Sequence, residues 1–399
     1  MTDSTQQHFL DLDARSESDH TPPNAWRTEA ADAADRVRDR IHQFTATLLR
    51  HLPDTAQVIS PASLYFALIN LRMGLAGEAK TMADRVLVPP DMSEATFAAG
   101  LEHLVTESFD GPISDELTIS MNQLLVAQEG QYWRESYLDT VRSLMTDLGT
   151  LDFANDPALA AETLNDWADS RTAGMIPEIF ESAADIDPAT LLMVLNAVYF
   201  KGLWQKPFDD EPFEADFQSD SGTTRRPFMK QTGKFFYREA DGVQFVDLPY
   251  HGGASMQIAL GPRETPLADV ADALFALDEG ELEKREGTVV MPVFRVESDS
   301  DLIETLAATG LGHIFRDLGE TVFFEDPATL AVSNVRQLIR LEVDRKGTEA
   351  AAVTVIPMVR AALLPPDDRE PFVMEINRPF AFRIVYRGLP LFGGLITEP

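Results

Sequence analysis

The seven histidines are the residues of this 399-residue chain that are best suited to metal binding or proton transfer. They are His8, His20, His42, His51, His103, His251 and His313. No two have the spacing of metal ligands on one helix, and the chain has neither an HExxH motif nor a carboxylate cluster of EF-hand spacing. It also contains no cysteine, which excludes disulfides and thiolate metal sites. The sequence therefore predicts no metal and no cofactor.

Two glycine-containing motifs have partial likeness to catalytic or phosphate-binding loops. In GLAGEAKT, residues 74–81, the glycines are too close together for a phosphate loop, and the stretch follows a helix. In YHGGAS, residues 250–255, the His-Gly-Gly could supply oxyanion donors as in lipases, but the chain has no Gly-x-Ser-x-Gly elbow. We interpret the first as a turn between helices and the second as a tight turn between strands. The chain is therefore not expected to be an enzyme.

A segment near the C-terminus has contradictory local preferences. It reads KGTEAAAVTVIPMVRAALLPPDD, residues 346–368. Its three successive alanines favour a helix, whereas Val-Thr-Val-Ile favours a strand, and its end is rich in proline and aspartate. An alanine-rich surface linker is one interpretation, and the residues alone leave the purpose of the segment open.

The charge of the chain is strongly acidic. It has 65 acidic and 33 basic residues, a net charge of −32 and a pI near 4.4. A phosphate-binding surface needs a basic excess, so no nucleic acid partner is expected, and attachment to an anionic membrane surface is disfavoured for the same reason. The most apolar helix-like segment, residues 64–75, is too short to span a bilayer, so no membrane partner is expected.

The N-terminal residues differ in composition from the rest of the chain. Residues 1–23 are polar, rich in Asp and Ser, and end in two prolines, which predicts a disordered tail. They lack a positive leader followed by an apolar stretch, so no secretory signal is expected. No Ser/Gly-rich linker interrupts residues 24–399, which favours one large domain.

Helical patterns dominate the first half of the chain and strand patterns the second. Helices are predicted at residues 27–50, 61–74, 131–145 and 162–174, with a short strand before Ser60-Pro61 and a strand at residues 118–128. Apolar strand patterns follow at residues 190–204, 242–250, 254–260, 287–298, 337–344, 379–386 and 390–396, with helical segments only near 266–285 and 301–309. Helices mostly first and strands mostly later indicate an α+β protein.

Six motifs, found in the same order as in the family, closely resemble the serpins, which are serine protease inhibitors. The motifs are VISPASLYFAL, NAVYFKGLWQKPF, FMKQTGKFFYREADGVQFVDLPY, VVMPVFRVES, LEVDRKGTEAAA and NRPFAFRIVYRGLPLFGGLI. The resemblance covers roughly residues 24–399. It implies about nine helices and three β-sheets, with a long central mixed sheet and an exposed reactive-centre loop at about residues 345–366. It also implies a monomer in an extracellular location, although the chain shows no export signal and a cytoplasmic location stays open.

The resemblance also gives the contradictory segment a purpose. A serpin loop is first exposed as bait for a protease, and after cleavage its N-terminal arm enters the central sheet as a new strand. The implied hinge is Gly347, Thr348, Glu349, Ala350, Ala351 and Ala352. Gly347 is expected to give backbone freedom at the pivot, and the small residues after it are expected to enter the sheet easily. Non-inhibitory serpins commonly carry bulky, charged or proline residues there, so an inhibitory function is favoured over a carrier or chaperone-like one.

The register of the family implies the bond that a protease would cut. Counting from Arg345 in the family register gives Ala361-Ala362, which suits the small primary pocket of elastase-like or subtilisin-like proteases. A register one residue shorter gives Arg360-Ala361, which suits a trypsin-like protease. Both bonds stay open, and Ala361-Ala362 is preferred.

The resemblance assigns two further groups of residues. Ser60, Ser63 and Asn196 match the shutter, whose hydrogen bonds control opening of the central sheet, and Gln337 occupies the position at which the family usually has a histidine. Because an amide does not titrate, pH-sensitive opening is not expected here. Trp204 matches the breach, where insertion begins.

Overall fold

The computed structural model describes most of the chain. The described residues are 9–10, 24–52, 58–109, 116–141, 144, 146–172, 174–209, 211–315, 321–325, 332, 334–348 and 369–399.

Eight α-helices occur in the described residues. They are α1 Asn24–Leu49, α2 Pro61–Met73, α3 Gly77–Leu87, α4 Glu94–Phe109, α5 Glu135–Val141, α6 Pro157–Arg171, α7 Leu267–Ala276 and α8 Ile303–Leu306. Helix α2 is buried from Pro61 to Arg72. Its sequence is apolar on nearly all faces, which is typical of a helix in the interior of a large domain.

The described part of the chain also contains sixteen β-strands. They are β1 Phe9–Leu10, β2 Val58–Ile59, β3 Leu117–Gln128, β4 Thr146–Leu151, β5 Leu192–Leu203, β6 Phe213–Ser219, β7 Gly222–Ala240, β8 Val243–Pro249, β9 Ala254–Leu260, β10 Glu283–Pro292, β11 Phe294–Asp301, β12 Asn334–Val343, β13 Gly347–Thr348, β14 Phe372–Glu375, β15 Phe380–Tyr386 and β16 Leu389–Ile396.

Seven of the strands form the central sheet, in the order β1-β4-β3-β5-β13-β12-β11. The β3–β4 and β5–β12 pairs are parallel, and the other pairs are antiparallel, so the sheet is mixed. Strand β5 is buried at every position except Lys201. Its continuous apolar run is typical of a strand that is covered on both faces.

The other nine strands form a second hydrogen-bonded network, β14-β10-β7-β8-β9-β15-β16-β2, with β6 paired to β7. Helix α2 lies between the two networks and contacts β3 and β5 on one side and β16 on the other. The main apolar core fills this interior. A smaller core lies on the opposite face of the central sheet, under α6.

The architecture agrees with the α+β expectation and differs from it in three details. The described residues contain eight α-helices plus short 3₁₀ turns, where about nine helices are expected. The strands form two networks instead of three sheets, because β7 runs for 19 residues and pairs with β6, β8 and β10. Within the predicted disordered tail, Phe9–Leu10 forms a strand along the edge of β4, because an apolar pair can cover that unpaired edge.

Candidate functional site

Strands β5 and β12 meet along a boundary that we call the seam. In its closed part, residues 193–199 of β5 pair directly with residues 334–340 of β12. At its open end, residues 202–203 of β5 and Val343 of β12 are separated by β13, which pairs with both strands. The seam is therefore already one strand wider at one end than along the rest of its length.

At the open end of the seam, position 347 has no room for a side chain, so only glycine fits there. A Cβ atom at this position would overlap the carbonyl oxygen of Gly202 and would lie 2.8 Å from the Cα atom of Leu203. Gly347 is not among the glycines with a positive φ, so the backbone freedom expected at the pivot is not what this position uses here. The glycine lets β13 approach β5 closely enough to form a strand.

Thr348 and Trp204 are joined by one buried aromatic side chain. The hydroxyl groups of Thr348 and Tyr250 are 2.6 Å apart, and Thr348 has no exposed surface. The rings of Tyr250 and Trp204 stack with centroids 4.1 Å apart and an interplanar angle of 11°. Burial raises the pKa of the Tyr250 phenol above its ordinary value, so the phenol stays neutral. Either hydroxyl can therefore donate the hydrogen bond between Tyr250 and Thr348. Trp204 thus lies at the open end, where the sequence predicts the breach.

The turn before β13 is held by hydrogen bonds to its backbone. Asp344 Oδ1 accepts from the backbone N–H of Lys346 at 2.7 Å and of Gly347 at 3.1 Å. The Trp204 indole donates to the carbonyl of Asp344 at 2.8 Å, and the Trp204 backbone N–H donates to the carbonyl of Lys346 at 2.9 Å. These bonds fix the direction in which the chain leaves the sheet after β12 and returns into the seam.

The four residues predicted for the shutter come together at the closed part of the seam. Gln337 Nε2 donates to Asn196 Oδ1 at 2.8 Å, across the boundary between β12 and β5. It also donates to the carbonyl of Ser60 at 3.0 Å, and its Oε1 accepts from the Ser60 backbone N–H at 2.8 Å. Asn196 Nδ2 donates to Ser63 Oγ at 2.6 Å, and Ser60 Oγ donates to the carbonyl of Leu391 at 2.5 Å. Their role as a shutter stays a prediction.

The four shutter residues belong to a longer set of buried, hydrogen-bonded polar side chains, which we call the polar row. The sequence does not indicate its three other members, Gln123, Thr146 and Asn70. Gln123 of β3 lies directly opposite Asn196, and Thr146 of β4 lies opposite Gln123, so the row crosses β4, β3, β5 and β12. Asn70 of α2 donates to Gln123 Oε1 and, at 2.5 Å, to Thr146 Oγ1. The signal that could have revealed the row is an amide or hydroxyl residue at one aligned position of each of these four strands.

No side chain of the row carries a charge. Its members are amides and hydroxyls, and all of them are buried. Tyr137 donates to the carbonyl of Asn70 at 3.0 Å, and burial raises the pKa of its phenol above the ordinary value. Protonation between mildly acidic and neutral pH therefore leaves the hydrogen bonds of the row unchanged.

The remaining predicted site residues lie outside the described residues. They are Glu349, Ala350, Ala351 and Ala352 of the hinge and Arg360, Ala361 and Ala362 of the candidate bonds. Among the described residues, no three His, Asp or Glu side chains come together in a way that could hold a metal ion. In the same part of the chain, no helix is long and apolar enough to cross a membrane.

Comparisons with known proteins place the chain among related sequences. A family model described as Serpin (serine protease inhibitor) matches residues 39–399. An uncharacterized serpin-like protein of Thermococcus kodakarensis is 30% identical, over 91% of this chain and 86% of the relative. Plasminogen activator inhibitor 1 of Neovison vison is 28% identical, over 87% of this chain and 88% of the relative.

A solved structure shows the same fold. The crystal structure of Serpin48, described as a highly specific serpin in the insect Tenebrio molitor, superimposes with a TM-score of 0.79 at 22% sequence identity. The alignment covers 92% of this chain and 98% of that structure. The α+β fold predicted from the sequence is confirmed.

Proposed function

Since the chain belongs to the serpin family, we propose that it inhibits serine proteases as a suicide substrate and is not itself an enzyme. A protease cleaves the reactive-centre loop, and the N-terminal arm of the loop then enters the seam while the protease is still held as an acyl-enzyme. The observation that carries the proposal is β13: Gly347 and Thr348 already occupy the first strand positions between β5 and β12. Insertion extends this pairing along the seam.

The register of β13 supports insertion along the whole seam. Thr348 pairs with Gly202 of β5 and with Val343 of β12. Thr354 is six residues after Thr348, and Asn196 and Gln337 are six residues before Gly202 and Val343. In the proposed inserted state, Thr354 therefore lies between Asn196 and Gln337. It is the one hydroxyl residue in the apolar run from Val353 to Val359, and it meets the polar row that insertion divides.

The side chains of the hinge also suit the two faces of the sheet. In an inserted strand, Ala350 and Ala352 point to the same face as Thr348, toward α2 and the buried row, because side chains alternate along a strand. Ala351 points to the face covered by α6. Small side chains at these positions enter between packed layers without steric overlap.

The length of β5 sets how far the protease is carried. If the register of β13 is continued along β5 to its first residue, Leu192, the inserted strand ends at Met358. A strand of this length spans roughly 40 Å at about 3.3 Å per residue. Both Arg360 and Ala361 lie just beyond Met358, so cleavage after either residue allows full insertion. An acyl-enzyme on either residue is carried to the end of the sheet opposite Trp204.

The two candidate bonds imply different targets. Cleavage at Ala361-Ala362 requires a protease with a small primary pocket, elastase-like or subtilisin-like, whereas cleavage at Arg360-Ala361 requires an acidic, trypsin-like pocket. We propose Ala361-Ala362 as the bond that the target cuts. We also propose an extracellular location, which is what the resemblance to the serpins implies.

The first experiment incubates the protein separately with pancreatic elastase, subtilisin and trypsin and separates the products on a denaturing gel. Inhibition predicts a covalent band of summed mass with at least one protease, and mass spectrometry of the released C-terminal peptide identifies the bond. Cleavage without a covalent band, with all three proteases, would contradict the proposal and favour a carrier or chaperone-like serpin. A matched control uses protease whose active-site serine is blocked, which can form no acyl-enzyme.

A further inference from the structure

The face of the central sheet opposite α2 is covered by α6 and by the chain that follows it. We call residues 174–182 the crossing segment. The apolar core beneath α6 and this segment includes side chains of β3, β4, β5 and β12, and therefore extends across the closed part of the seam. Whatever holds this cover to both sides of the seam opposes the separation of β5 from β12.

Helix α6 is attached on the β3–β4 side of the seam. The Trp167 indole donates to Asp147 Oδ2 at 2.7 Å, and Arg171 Nη2 donates to Asp147 Oδ1 at 2.8 Å. Asp147 lies on β4. Asn122 of β3 donates to the carbonyl of Arg171 at 2.9 Å. None of these contacts crosses the seam, so α6 can move as one unit with β3 and β4.

The crossing segment is bonded to α6 at two places. At its start, the backbone N–H of Gly174 donates to the carbonyl of Asp169 at 2.9 Å. Asn165 Oδ1 accepts from the backbone N–H of Ile179 at 2.7 Å and of Phe180 at 3.0 Å. Its Nδ2 donates to the carbonyl of Phe180 at 2.9 Å. This amide fixes the backbone of the crossing segment relative to α6.

Two arginines of β12 hold the crossing segment from the other side of the seam. Arg340 Nη1 donates to the carbonyl of Met175 at 2.9 Å. The guanidinium of Arg336 lies over the ring of Phe180, 4.8 Å from its centroid. Arg336 also forms a bidentate ion pair with Asp299 of β11, with Nε 2.6 Å from Oδ1 and Nη2 2.5 Å from Oδ2. That pair lies wholly on the β11–β12 side.

Apolar packing under this part of the crossing segment is incomplete. A cleft of about 330 Å³ separates residues such as Ile176 and Pro177 from Ser298 of β11 and Ile339 of β12. This cleft is open to solvent, so the crossing segment makes fewer apolar contacts with β11 and β12 there than a closed interface would have. The two arginine contacts therefore carry a large share of the attachment between the segment and β12.

We propose that Arg336 and Arg340 are positioning residues that latch the crossing segment across the seam and set the rate at which the seam opens for the loop. The inference rests on the proposed function. Insertion of a strand moves β12 away from β5 by about one strand spacing, roughly 4.8 Å. The Arg340–Met175 hydrogen bond cannot survive that displacement while α6 stays with β3 and β4. The latch must therefore release before, or together with, insertion.

The test measures the rate of insertion after the loop is cut. The sequence has no cysteine, so the single substitution Val359→Cys gives one site for an environment-sensitive fluorophore on the arm that moves. Excess subtilisin cuts the loop, and the fluorescence change gives the insertion rate. In this background, Arg340→Met is expected to insert about tenfold faster than the parent, the effect of losing one charge-assisted hydrogen bond. Arg336→Met is expected to insert faster by a smaller factor.

Two variants separate a latch from a general structural role. Arg340→Lys keeps one donor and is expected to restore the rate to within about twofold of the parent, because a single hydrogen bond can re-form. Arg225→Met removes an exposed arginine of β7, outside the central sheet, and is expected to leave the rate unchanged. Rates that are unchanged in Arg340→Met and Arg336→Met, or raised equally by Arg225→Met, would overturn the latch.

The outcome for the parent protein distinguishes the two proposals. If the parent inserts after cleavage and the arginine variants insert at the same rate, only the latch is wrong. If the cleaved parent shows neither a fluorescence change nor a gain in melting temperature, insertion itself does not occur. That result overturns the proposed function and the latch together.

Discussion

The two ends of the β5–β12 seam differ in what fills them. At the open end, β13 separates the strands, and Gly347, Thr348, Trp204 and Tyr250 form a close-packed contact. In the closed part the strands pair directly, with the Asn196–Gln337 hydrogen bond on one face and the arginine contacts of the crossing segment on the other. At the open end, a strand already lies between β5 and β12, as is proposed for the whole seam after insertion. In the closed part, insertion has to break the hydrogen bonds between β5 and β12 and replace them with bonds to the new strand.

The substitution with the largest expected effect blocks the open end. Thr348→Arg places a charge where the side chain has no exposed surface and faces the Tyr250 phenol. Burying an unpaired charge is costly, so the arm is expected to stay outside the seam and the protein to become a substrate that forms no covalent complex. The measurement is the denaturing gel with the protease that traps best. Thr232→Arg, at an exposed position of β7, is the matched control and should keep the covalent band.

Gly347→Ala should weaken the open end without adding charge. The added Cβ overlaps the carbonyl oxygen of Gly202, and backbone cannot move aside as a flexible side chain can. Overpacking of this kind costs about 1–3 kcal/mol. We expect a lower melting temperature for the uncleaved protein, measured by circular dichroism. Gly130→Ala, at a position where the Cβ has open space but φ is positive, measures what backbone strain alone contributes. An unchanged melting temperature in Gly347→Ala would show that β13 is not tightly paired in solution.

Thr354→Val tests the proposed register in the closed part. Valine has nearly the shape of threonine but lacks the hydroxyl that is proposed to meet Asn196 and Gln337 after insertion. Leaving buried amides unsatisfied costs about 1–3 kcal/mol, so the cleaved form should lose stability while the uncleaved form should not. Denaturant unfolding of both forms checks this. Thr354→Ser keeps a hydroxyl at the same position and should retain most of the stability of the cleaved form, so equal losses in Thr354→Ser and Thr354→Val would contradict the register.

Gln337→His has the smallest expected effect and concerns pH. A free imidazole has a pKa of about 6.5, and burial in the row should lower it, because the charged form is disfavoured there. A lowered pKa in the folded state means that stability is fully present above about pH 6.5 and is lost as the pH falls through the lower value. The variant's melting temperature, taken relative to the parent, should therefore drop from pH 7 to pH 5. A constant difference between variant and parent over this range would show that the imidazole is not buried neutral.

The sequence alone predicts some features of this molecule better than others. The long apolar runs of α2 and β5 predict buried elements, because burial on all sides requires apolar residues throughout. Strand β7 is not predicted as a strand, since Lys230, Thr232, Lys234 and Phe236 alternate with buried residues along one exposed face. A strand with one solvated face carries a weaker apolar signal than β5 does.

The candidate site also contains some residues that the sequence predicts and others that it does not. The resemblance to serpins places Ser60, Ser63, Asn196 and Gln337 in one group, and the structure brings these four together. Gln123, Asn70 and Thr146 are not predicted, because the sequence of one strand or helix does not show which polar residue of another element it will meet. The contact of Thr348 with Tyr250 joins residues 98 positions apart in the chain, and only the folded structure reveals it.

Locking the seam with a disulfide tests the central claim most directly. Ala197 and Leu338 are partners across the closed part, and neighbouring strands lie about 4.8 Å apart, within the range for a disulfide. The chain has no other cysteine, so Ala197→Cys with Leu338→Cys can form one intramolecular bond. Val126→Cys with Met193→Cys gives a control lock between β3 and β5, which are paired strands on the same side of the seam. Oxidised seam-locked protein should be cut without trapping the protease and without gaining heat stability, and reduction should restore both. Covalent complex formation by the oxidised seam-locked protein, at the level of its reduced form, would contradict the account.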